Sequence, residues 1–447
     1  MLVGGCVLRP EGTRQERANL IDAGKAYQKP AAPELPAADV GWRDVLRRAF
    51  LVNGDLEAAY FEWAAAVERI DQRAGWPNTN VGVGFSYMFS GGRMKSWDRT
   101  TVTAATDTMQ NLSLPHKAAK AGRVALDEAR AAGQRFLAAK FELQRKVLTA
   151  YLDLALMEEK VRIQRDNVEL LKLLADSAAT RVQAGGPQQD LLKAQIQHRL
   201  AENELANMES ERSAMRAMLN GMLDRPADAP LELPKVLPEP RPVGVDDAKL
   251  IAAGALNNAE LGALARQVEG RKEALALAKL AYWPDINPSA GFTGTVSQFA
   301  GAMVMLPTTV PQIEAMIRES RAMLRSGEAM ARQAKAERGA AFVAALYAMR
   351  NAERQAALFR DVVLPKARQA LASSRQAYAA GSVGFVEVVD SQRTLLEVRQ
   401  MIAEAQISRE KQLAVMEALA GVDVETLVTP ATRPSTQVSG AVEIDHE

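Results

Sequence analysis

The sequence predicts a mainly α-helical protein with a smaller β part, built from two copies of one half-protein. A turn-like string, "RVQAGGPQQDLLKAQ", surrounds Gly185 and recurs in altered form, "RQAYAAGSVGFVEVVDSQ", around Gly381, 196 residues later. Long stretches beside both turns repeat apolar residues every seven positions, which is typical of paired helices. Two further segments alternate apolar and small residues at every second position, which indicates strands.

The composition is that of a folded protein and excludes several classes of function. Of 447 residues, 48% are hydrophobic and 24% are charged, which argues against wholesale disorder. The net charge of +1 provides no strong basic field, so no nucleic-acid partner is expected. A single cysteine precludes an intrachain disulfide. No apolar run reaches the roughly 18 residues of a transmembrane helix, so none is expected.

Residues 1–41 are predicted to be a residual signal with a lipobox, followed by an extended tether. Cys6 ends the string "LVGGC", which resembles a bacterial lipobox, where the cysteine becomes lipidated. Only five residues precede it, so we expect the recorded start to lie downstream of the true one. The alternative is an ordinary thiol. The proline-rich stretch "QKPAAPELPAADV" favours a tether between a lipid and a folded body.

The repeats divide the rest of the chain. The first structural repeat is predicted at 42–220, with a β-hairpin at about 78–114, and an inter-repeat linker follows at 221–247. The second repeat is predicted at 248–421, with a β-hairpin at about 285–306, before a C-terminal tail at 422–447. In both copies the order is helix, Trp-Pro, glycine-rich extended segment, Leu-Pro, very long helix, glycine turn and long helix.

The heptad stretches predict unusually long helices. From His116 to Gly185 is about 70 residues, or on the order of 100 Å if the whole stretch is helical. Pro365 is predicted to kink or locally open the matching helix of the second repeat. The first-repeat stripe consists of Val147, Leu154, Val161, Val168, Ala175 and Val182.

The alternating segments predict two β-hairpins. In the first, Val81, Val83, Phe85, Tyr87 and Phe89 share one face, and a return strand follows after a polar loop. The second hairpin has room for two strands of about nine residues, the length of a tilted membrane-spanning strand. The smallest bacterial barrels need about eight strands. If these strands enter a membrane, several chains must therefore share one barrel.

Two strings carry a resemblance to a known family. They are "NNAELGALARQVEGRKEALALAKLAYWPDI" and "VVLPKARQALASSRQAYAAGSVGFVEVVDSQ". Together with the duplicated order of elements, they make the chain resemble the TolC-type outer-membrane efflux factors, in their lipoprotein branch, from Trp42 to Val422. The resemblance implies a homotrimer whose duplicated long helical hairpins form a trimeric α-barrel. A shared 12-stranded β-barrel, with four strands from each chain, would lie on top.

The resemblance also implies a function and a location. The trimer would be the channel, or exit duct, of a tripartite efflux or secretion system, and it would conduct substrates passively to the exterior. Its partners would be a periplasmic adaptor (membrane fusion) protein, an inner-membrane transporter such as a resistance-nodulation-division pump, and outer-membrane lipid. The protein would be anchored by lipid in the bacterial outer membrane and extend into the periplasm.

By the same resemblance, the two glycine turns would be periplasmic tips that close the duct and meet the adaptor. The turn glycines are Gly185, Gly186 and Gly381, and the tip or gate residues are Asp190, Glu387, Asp390, Tyr378 and Arg181. Tyr378 and Arg181 match positions whose hydrogen bonds hold the closed state. The three acids match acids at the tip, which threefold symmetry would turn into rings that attract cations. Val383 and Phe385 occupy a stretch where some relatives have a basic residue, so a more hydrophobic closing network is expected.

Each of these residues also has a simpler interpretation. The acids lie in or near the first turn of a helix, where they favour the helix dipole. The glycines fit helix C-caps with left-handed backbone, and Tyr378 fits a packing aromatic residue. No catalytic, cofactor or metal site is expected, because His116, His198 and His446 are scattered without ligands at a known spacing. The rival to a duct is a soluble coiled-coil structural scaffold, which cell fractionation distinguishes.

Overall fold

A computed structural model describes residues 7–25, 27, 34–36, 38–75, 81–89, 92, 94–106, 115–243, 246–256 and 258–423. Cys6, with its predicted lipobox, and most of the predicted C-terminal tail lie outside these residues. The described chain forms two compact units. One comprises residues 1–158, 206–235 and 258–340, and the other comprises residues 159–205, 236–257 and 341–447. Both units draw residues from both sequence repeats, so the units are not the repeats themselves.

Helices dominate the structure, and the prediction of a mainly α-helical chain with very long helices is confirmed. The longest, α4, continues without interruption for 69 residues. The helices are α1 (Thr13–Gly24), α2 (Trp42–Val52), α3 (Gly54–Ala74), α4 (Pro115–Gln183), α5 (Gln188–Met222), α6 (Asp247–Leu256), α7 (Ala259–Lys279), α8 (Val310–Leu358), α9 (Leu364–Ala379) and α10 (Phe385–Ala420).

Matching residues begin matching helices in the two repeats. The side chain of Asn53 accepts a hydrogen bond from the Leu56 amide at 3.2 Å and so caps α3. The side chain of Asn258 accepts one from the Leu261 amide at 2.8 Å and caps α7 in the same way. Asparagine at this position satisfies an amide that the helix itself leaves unpaired. The duplication therefore extends to local hydrogen bonding.

Pro365 opens the second-repeat helix, as the sequence predicts. Helix α8 ends at Leu358, a single π-helical turn spans Phe359–Val363, and α9 begins at Leu364. In this π-turn the Leu364 amide donates to the Phe359 carbonyl, five residues back. Proline has no amide hydrogen, and its ring collides with the carbonyl four residues earlier, so the wider turn relieves that collision.

The two β-hairpins lie side by side in one antiparallel sheet, in the order β1–β2–β3–β4. Its strands are β1 (Val81–Tyr87), β2 (Thr100–Thr106), β3 (Asp285–Thr293) and β4 (Ser297–Met305). Strands β2 and β3, which come from different repeats, pair with Thr103 opposite Gly291. Within the described chain, β1 and β4 each lack a partner on their outer edge. The sheet is therefore open at both sides.

The pairing register gives the sheet one apolar face and one largely small or polar face. Cross-strand neighbours place Phe85 beside Val102, and Val102 beside Phe292. Phe85 and Val83 are each 71% exposed, so this apolar face is uncovered within one chain. The apolar face carries Val83, Phe85, Tyr87, Val102, Ala104, Ile286, Pro288, Ala290, Phe292, Ala300, Ala302 and Val304, with Thr100, Thr106 and Gln298 as its polar members. The opposite face carries mainly glycine, serine, threonine and asparagine, with Ala105, Asp285, Phe299, Met303 and Met305 as exceptions.

The N-terminal segment contains a helix that the sequence analysis did not predict, at Thr13–Gly24. This stretch is helix α1, and it contacts α3. The buried carboxylate of Glu16 accepts a hydrogen bond from the indole nitrogen of Trp63 at 2.9 Å. Arg17 forms an ion pair with Asp71 at 2.9 Å. These contacts offset the conformational entropy that is lost when the segment becomes ordered. The proline-rich composition farther along the chain gives no sign of them.

A second set of contacts fixes the inter-repeat linker to α8 and α10 within one unit. Seven alternating charges form a continuous chain, here called the charge chain, in which each neighbouring pair is bonded. Its member from the linker is Arg241, which contacts Glu410 at 3.0 Å and Glu417 at 2.9 Å. In order, the charge chain is Asp247, Arg350, Glu353, Arg409, Glu410, Arg241 and Glu417.

Candidate functional site

Both predicted glycine turns end their helices with the same motif. Gly185 and Gly381 have φ of 91° and 76°, in the left-handed region that glycine adopts without strain. The Gly186 amide donates to the Arg181 carbonyl at 2.8 Å, and the Ser382 amide donates to the Ala377 carbonyl at 2.9 Å. Each bond spans six residues, so both turns are Schellman caps. The repeated string thus encodes a repeated backbone turn.

Gly186 lies close to the backbone of its own cap. A methyl group added there would lie 2.9 Å from the Arg181 carbonyl oxygen, which is the acceptor of the cap itself. In the second turn Ser382 takes this place, and its hydroxyl donates to the Ala377 carbonyl at 2.9 Å. The two turns therefore share their geometry but differ in one side chain.

Arg181 and Tyr378 join the two turns within one chain. The guanidinium carbon of Arg181 lies 4.3 Å from the centre of the Tyr378 ring, a cation–π distance. One guanidinium nitrogen also donates to the Tyr378 backbone carbonyl at 3.0 Å. That carbonyl lies at the C-terminal end of α9, where a cation also favours the helix dipole. The structure thus brings together two residues predicted from the sequence and adds a contact that the sequence did not predict.

Tyr378 also belongs to a small apolar cluster, here called the tip core. Its ring meets that of Phe385 edge to face, with centroids 6.2 Å apart. Phe385 is 1% exposed, and Val383 packs at the margin of the cluster. The tip core consists of Ala178, Ala194, Leu371, Tyr378, Phe385 and Val388, contributed by α4, α5, α9 and α10. The residues that the sequence analysis singled out as a hydrophobic departure therefore pack into this cluster.

The predicted acids lie apart from the Arg181–Tyr378 contact. Glu387 belongs to the first turn of α10 and Asp390 to the next, and both are exposed. Asp190 is partly buried in the first turn of α5. Within the described residues, no cation forms an ion pair with any of these three carboxylates. Their negative charge is therefore left uncompensated in a single chain.

Two polar features of the tip were not predicted from the sequence. The hydroxyls of Ser374 and Ser391 lie 2.8 Å apart and link α9 to α10. Gln392 is 5% exposed, and its side-chain oxygen accepts no hydrogen bond in the described part of the chain. The sequence signalled Gln392 only through its repetition at Gln195, which is exposed. The repeat therefore identified the position of Gln392 but did not predict that its side chain is buried.

The described ranges contain neither a metal-binding cluster of histidine, cysteine or carboxylate side chains nor a membrane-spanning helix. No group of three or more histidine, cysteine, aspartate or glutamate side chains there could hold a metal ion. None of the helices in those ranges combines the length and the apolar composition that a membrane span requires.

Comparison with solved structures identifies the fold. The chain superimposes on the outer membrane protein VceC from Vibrio cholerae with a TM-score of 0.70 at 16% identity, covering 85% of this chain and 96% of VceC. It matches the open state of the Neisseria gonorrhoeae MtrE outer membrane channel with a TM-score of 0.70 at 17% identity, over 88% and 94% of the two chains. The Campylobacter jejuni CmeC outer membrane channel matches with a TM-score of 0.70 at 10% identity, over 91% and 94%.

The chain has the outer-membrane channel fold. A comparison with protein-family models finds none that matches the chain, and a comparison with curated proteins finds no match either. The outer-membrane channel fold nevertheless covers most of both chains in each comparison. The predicted fold class is confirmed. The described chain has long helical hairpins and four strands.

Proposed function

We propose that this chain belongs to the TolC-type family and is the outer-membrane duct of a tripartite efflux or secretion system. In this role it passively conducts substrates from a periplasmic pump-adaptor assembly to the exterior. The observation that carries the proposal is the open antiparallel sheet with one apolar face, in a chain with the outer-membrane channel fold. A soluble coiled-coil scaffold would not require an open sheet with an uncovered apolar face.

The open edges of the sheet support a homotrimer. Unpaired backbone groups in lipid each cost several kcal/mol, so β1 and β4 need partners. Because successive strands in the sheet are antiparallel and the described strands are even in number, β4 of one copy can pair antiparallel with β1 of the next. Three copies would close a barrel of twelve strands, which lies within the range of bacterial barrels.

The two faces of the sheet support a barrel wall. Lipid-facing residues of such a wall are apolar, and residues that face the lumen are small or polar. Val83, Phe85 and Phe292 would meet lipid, whereas Thr103 and Ser289 would face the lumen. This alternation is expected of a wall between lipid and water, and it supports a location in the outer membrane.

The N-terminal contacts support a lipid anchor at Cys6. The Leu8 amide donates to the Ala74 carbonyl at 3.1 Å, and Val7 pairs with Gly75. Gly75 lies six residues before Val81, the start of β1. The segment that follows Cys6 is therefore held against the end of α3. Replacing Cys6 with alanine should leave folding intact and abolish labelling with palmitate, whereas a wild-type protein that takes up no label would refute the anchor.

The remaining parts of the proposal concern the tips. The two Schellman turns, with the tip core between them, would meet a periplasmic adaptor, and an inner-membrane transporter such as a resistance-nodulation-division pump would complete the system. Arg181 and Tyr378 would hold the closed state, while Asp190, Glu387 and Asp390 would face the passage. The contact between Arg181 and Tyr378 supports the first role. The three carboxylates form no ion pair within the described residues, which supports the second.

Disulfide trapping tests the duct directly. Ser86 near the end of β1 and Ser297 at the start of β4 lie at the same end of the sheet and on the same face. In a Cys6→Ala background, Ser86→Cys with Ser297→Cys should give covalent trimers on oxidation, and each single variant should not.

The protein should require detergent, fractionate with outer membranes and conduct ions in planar bilayers. A water-soluble monomer or a soluble rod without conductance would refute the proposal and favour the scaffold.

A further inference from the structure

Many methionine side chains of this chain are exposed to solvent. Methionine is among the residues most often buried in proteins. In the described residues, however, nine methionines are more than a third exposed, and they are Met88, Met94, Met218, Met303, Met305, Met316, Met323, Met330 and Met401. Packing alone does not explain them, because other apolar residues fit an exposed interface equally well. We therefore examined which of these thioethers lie together.

Three methionines near the end of α5 share one face of that helix and are here called the methionine triad. Met215, Met218 and Met222 are spaced by three and four residues, and side chains at this spacing are neighbours on a helix. Met218 is 66% exposed, while Met215 and Met222 are partly exposed. A methyl group added at Gly221 would meet nothing within 4 Å, so the space beside the triad is open.

A carboxylate extends the same face of α5. Glu211 lies four residues before Met215, next to it on the helix surface, and is exposed. Within the described part of the chain, no cation forms an ion pair with this carboxylate. The adjacent Arg212 instead pairs with Glu158 of α4 at 3.3 Å. The face therefore combines three neutral thioethers with one unpaired negative charge.

The methionine triad lies on the side of α5 opposite to the inter-repeat linker. Asn220 is two residues from both Met218 and Met222, which places it about 200° around the helix from each. Its side chain is fully buried and donates to the Ala229 carbonyl of the linker at 2.9 Å. The linker therefore covers the side of α5 that bears Asn220, and the triad is on the other side.

Helix α2 marks the same covered side. Arg48 of α2 donates to the Leu223 carbonyl, just beyond the end of α5, at 2.9 Å. Under the proposed function, the chain that runs from a lipid-anchored Cys6 through α1 and α2 stays outside the wall of the duct. The opposite side of α5, with the triad, would then face the passage. This assignment rests on the proposed function.

Thioethers select a particular class of ion. Methionine sulfur is a soft ligand that suits Cu(I), whereas Mg²⁺ and Ca²⁺ prefer oxygen ligands. Methionine also has three rotatable bonds, so sulfurs from adjacent helical turns can converge on one ion. The charge of Glu211 attracts cations to the same place. Ligands and charge together fit a soft cation.

We propose that the methionine triad binds a soft monovalent cation, Cu(I) or Ag(I), which Glu211 attracts. The site is exposed and its sulfur ligands are neutral, so the ion can leave again, as conduction through a passage requires. If the chain is the proposed duct, soft cations belong to the substrates that cross it. Binding itself is a property of the chain and is measured without any transport assay.

Titration of the full-length protein with Ag(I) tests the triad. Ag(I) is soft and monovalent like Cu(I) but needs no reductant, and a Cys6→Ala background removes the competing thiol. In methyl NMR of methionine-labelled protein, the signals of Met215, Met218 and Met222 should shift first, and Mg²⁺ should not shift them. Replacing all three with leucine, which nearly conserves volume, should raise the Kd of the tightest Ag(I) site by more than about tenfold.

Two further variants separate the thioethers from other effects. Met401→Leu is the matched control, because Met401 is 42% exposed on α10 and has no other methionine within four residues. It should leave the Kd unchanged. Glu211→Gln should raise the Kd by less than the triple substitution, and mainly at low salt, because it removes only a screened charge.

The outcomes for the triad and for the duct are distinct. An unchanged Kd in the triple variant, or equal methyl shifts with Mg²⁺ and Ag(I), would overturn the triad. Normal conductance without Ag(I) binding would overturn the triad and leave the proposed duct intact. Ag(I) binding by a protein that does not conduct would do the reverse.

Discussion

Gly185 and Gly381 show why a single residue type recurs at the two turns. Each closes a Schellman cap in which the backbone turns left-handed, and each is followed within a few residues by the next helix. Any side chain at these positions meets the steric penalty of left-handed backbone. Glycine occurs in both turns because both need left-handed backbone at this position, and this requirement is independent of any further role of the turns.

Alanine at either turn should destabilise that turn alone. Gly185→Ala and Gly381→Ala should each cost about 1–2 kcal/mol, because an L-residue is strained at these φ values. Gly384→Ala is the matched control, since its φ of −82° is ordinary and an added methyl meets nothing within 4 Å. Denaturation followed by circular dichroism measures the difference. A cost for Gly384→Ala equal to that for Gly381→Ala would contradict the strain argument.

The exposed acids at the start of α10 should set the ion preference of the proposed duct. Glu387→Gln with Asp390→Asn should reduce cation selectivity in planar bilayers, because a ring of carboxylates attracts cations. Glu397→Gln on the same helix is the control, since Glu397 is already paired with Arg393 at 3.0 Å. Ion selectivity that stays the same in the double variant would argue that these acids serve only the helix dipole.

At the scale of elements, the linker is held by charge rather than by apolar packing alone. Glu417 is fully buried and Glu410 is 4% exposed, and Arg241 contacts both. Arg241→Ala would leave two buried carboxylates without this partner, which should cost about 3–5 kcal/mol of unfolding free energy. Arg318→Ala, which removes an exposed pair with Glu314, should cost under about 1 kcal/mol. Similar melting temperatures for the two variants would contradict the role of the charge chain.

The docking of α1 on α3 should depend on pH. Two hydrogen bonds from Arg9, and one from Arg17, hold the pKa of the Asp71 carboxyl below its ordinary value. The contribution of ionised Asp71 is therefore complete above the pKa of the unfolded chain and is lost as pH falls through the lowered folded pKa. A nitroxide at Ala18→Cys, in a Cys6→Ala background, should become mobile in acid below that folded pKa.

Asp71→Asn provides the control for this prediction. It removes the ionisable partner, so the label on α1 should already be mobile at neutral pH and should respond little to acid. A label on α8 at Ala336→Cys should stay immobile under the same conditions, which separates local release from global unfolding. If the α1 label remains immobile in acid in the otherwise wild-type chain, Asp71 does not hold the segment.

At the scale of the whole molecule, the sequence predicted the periodic features and missed the contacts between distant segments. Heptads predicted α4, and alternation predicted β3 and β4 to within a residue of their ends, because periodicity is local and strong. The docking of α1 and the contact between Arg181 and the Tyr378 carbonyl join residues far apart in sequence. No period records such contacts. Solvent exposure could not be predicted from the sequence either. Gln195 and Gln392 occupy matching positions of the repeated string, yet Gln195 is exposed and Gln392 is buried.

The pairing of β2 with β3 sets an order of events during folding. Asp285 lies 179 residues after Thr106, so the first hairpin waits for its neighbour during roughly ten to forty seconds of synthesis. A lone two-stranded hairpin is marginal in water, and its open edge invites pairing with other chains. A fragment that ends before Asp285 should therefore pellet as aggregate unless a chaperone shields it. We therefore expect a nascent chain of this protein to need such protection until residues 285–305 have been made.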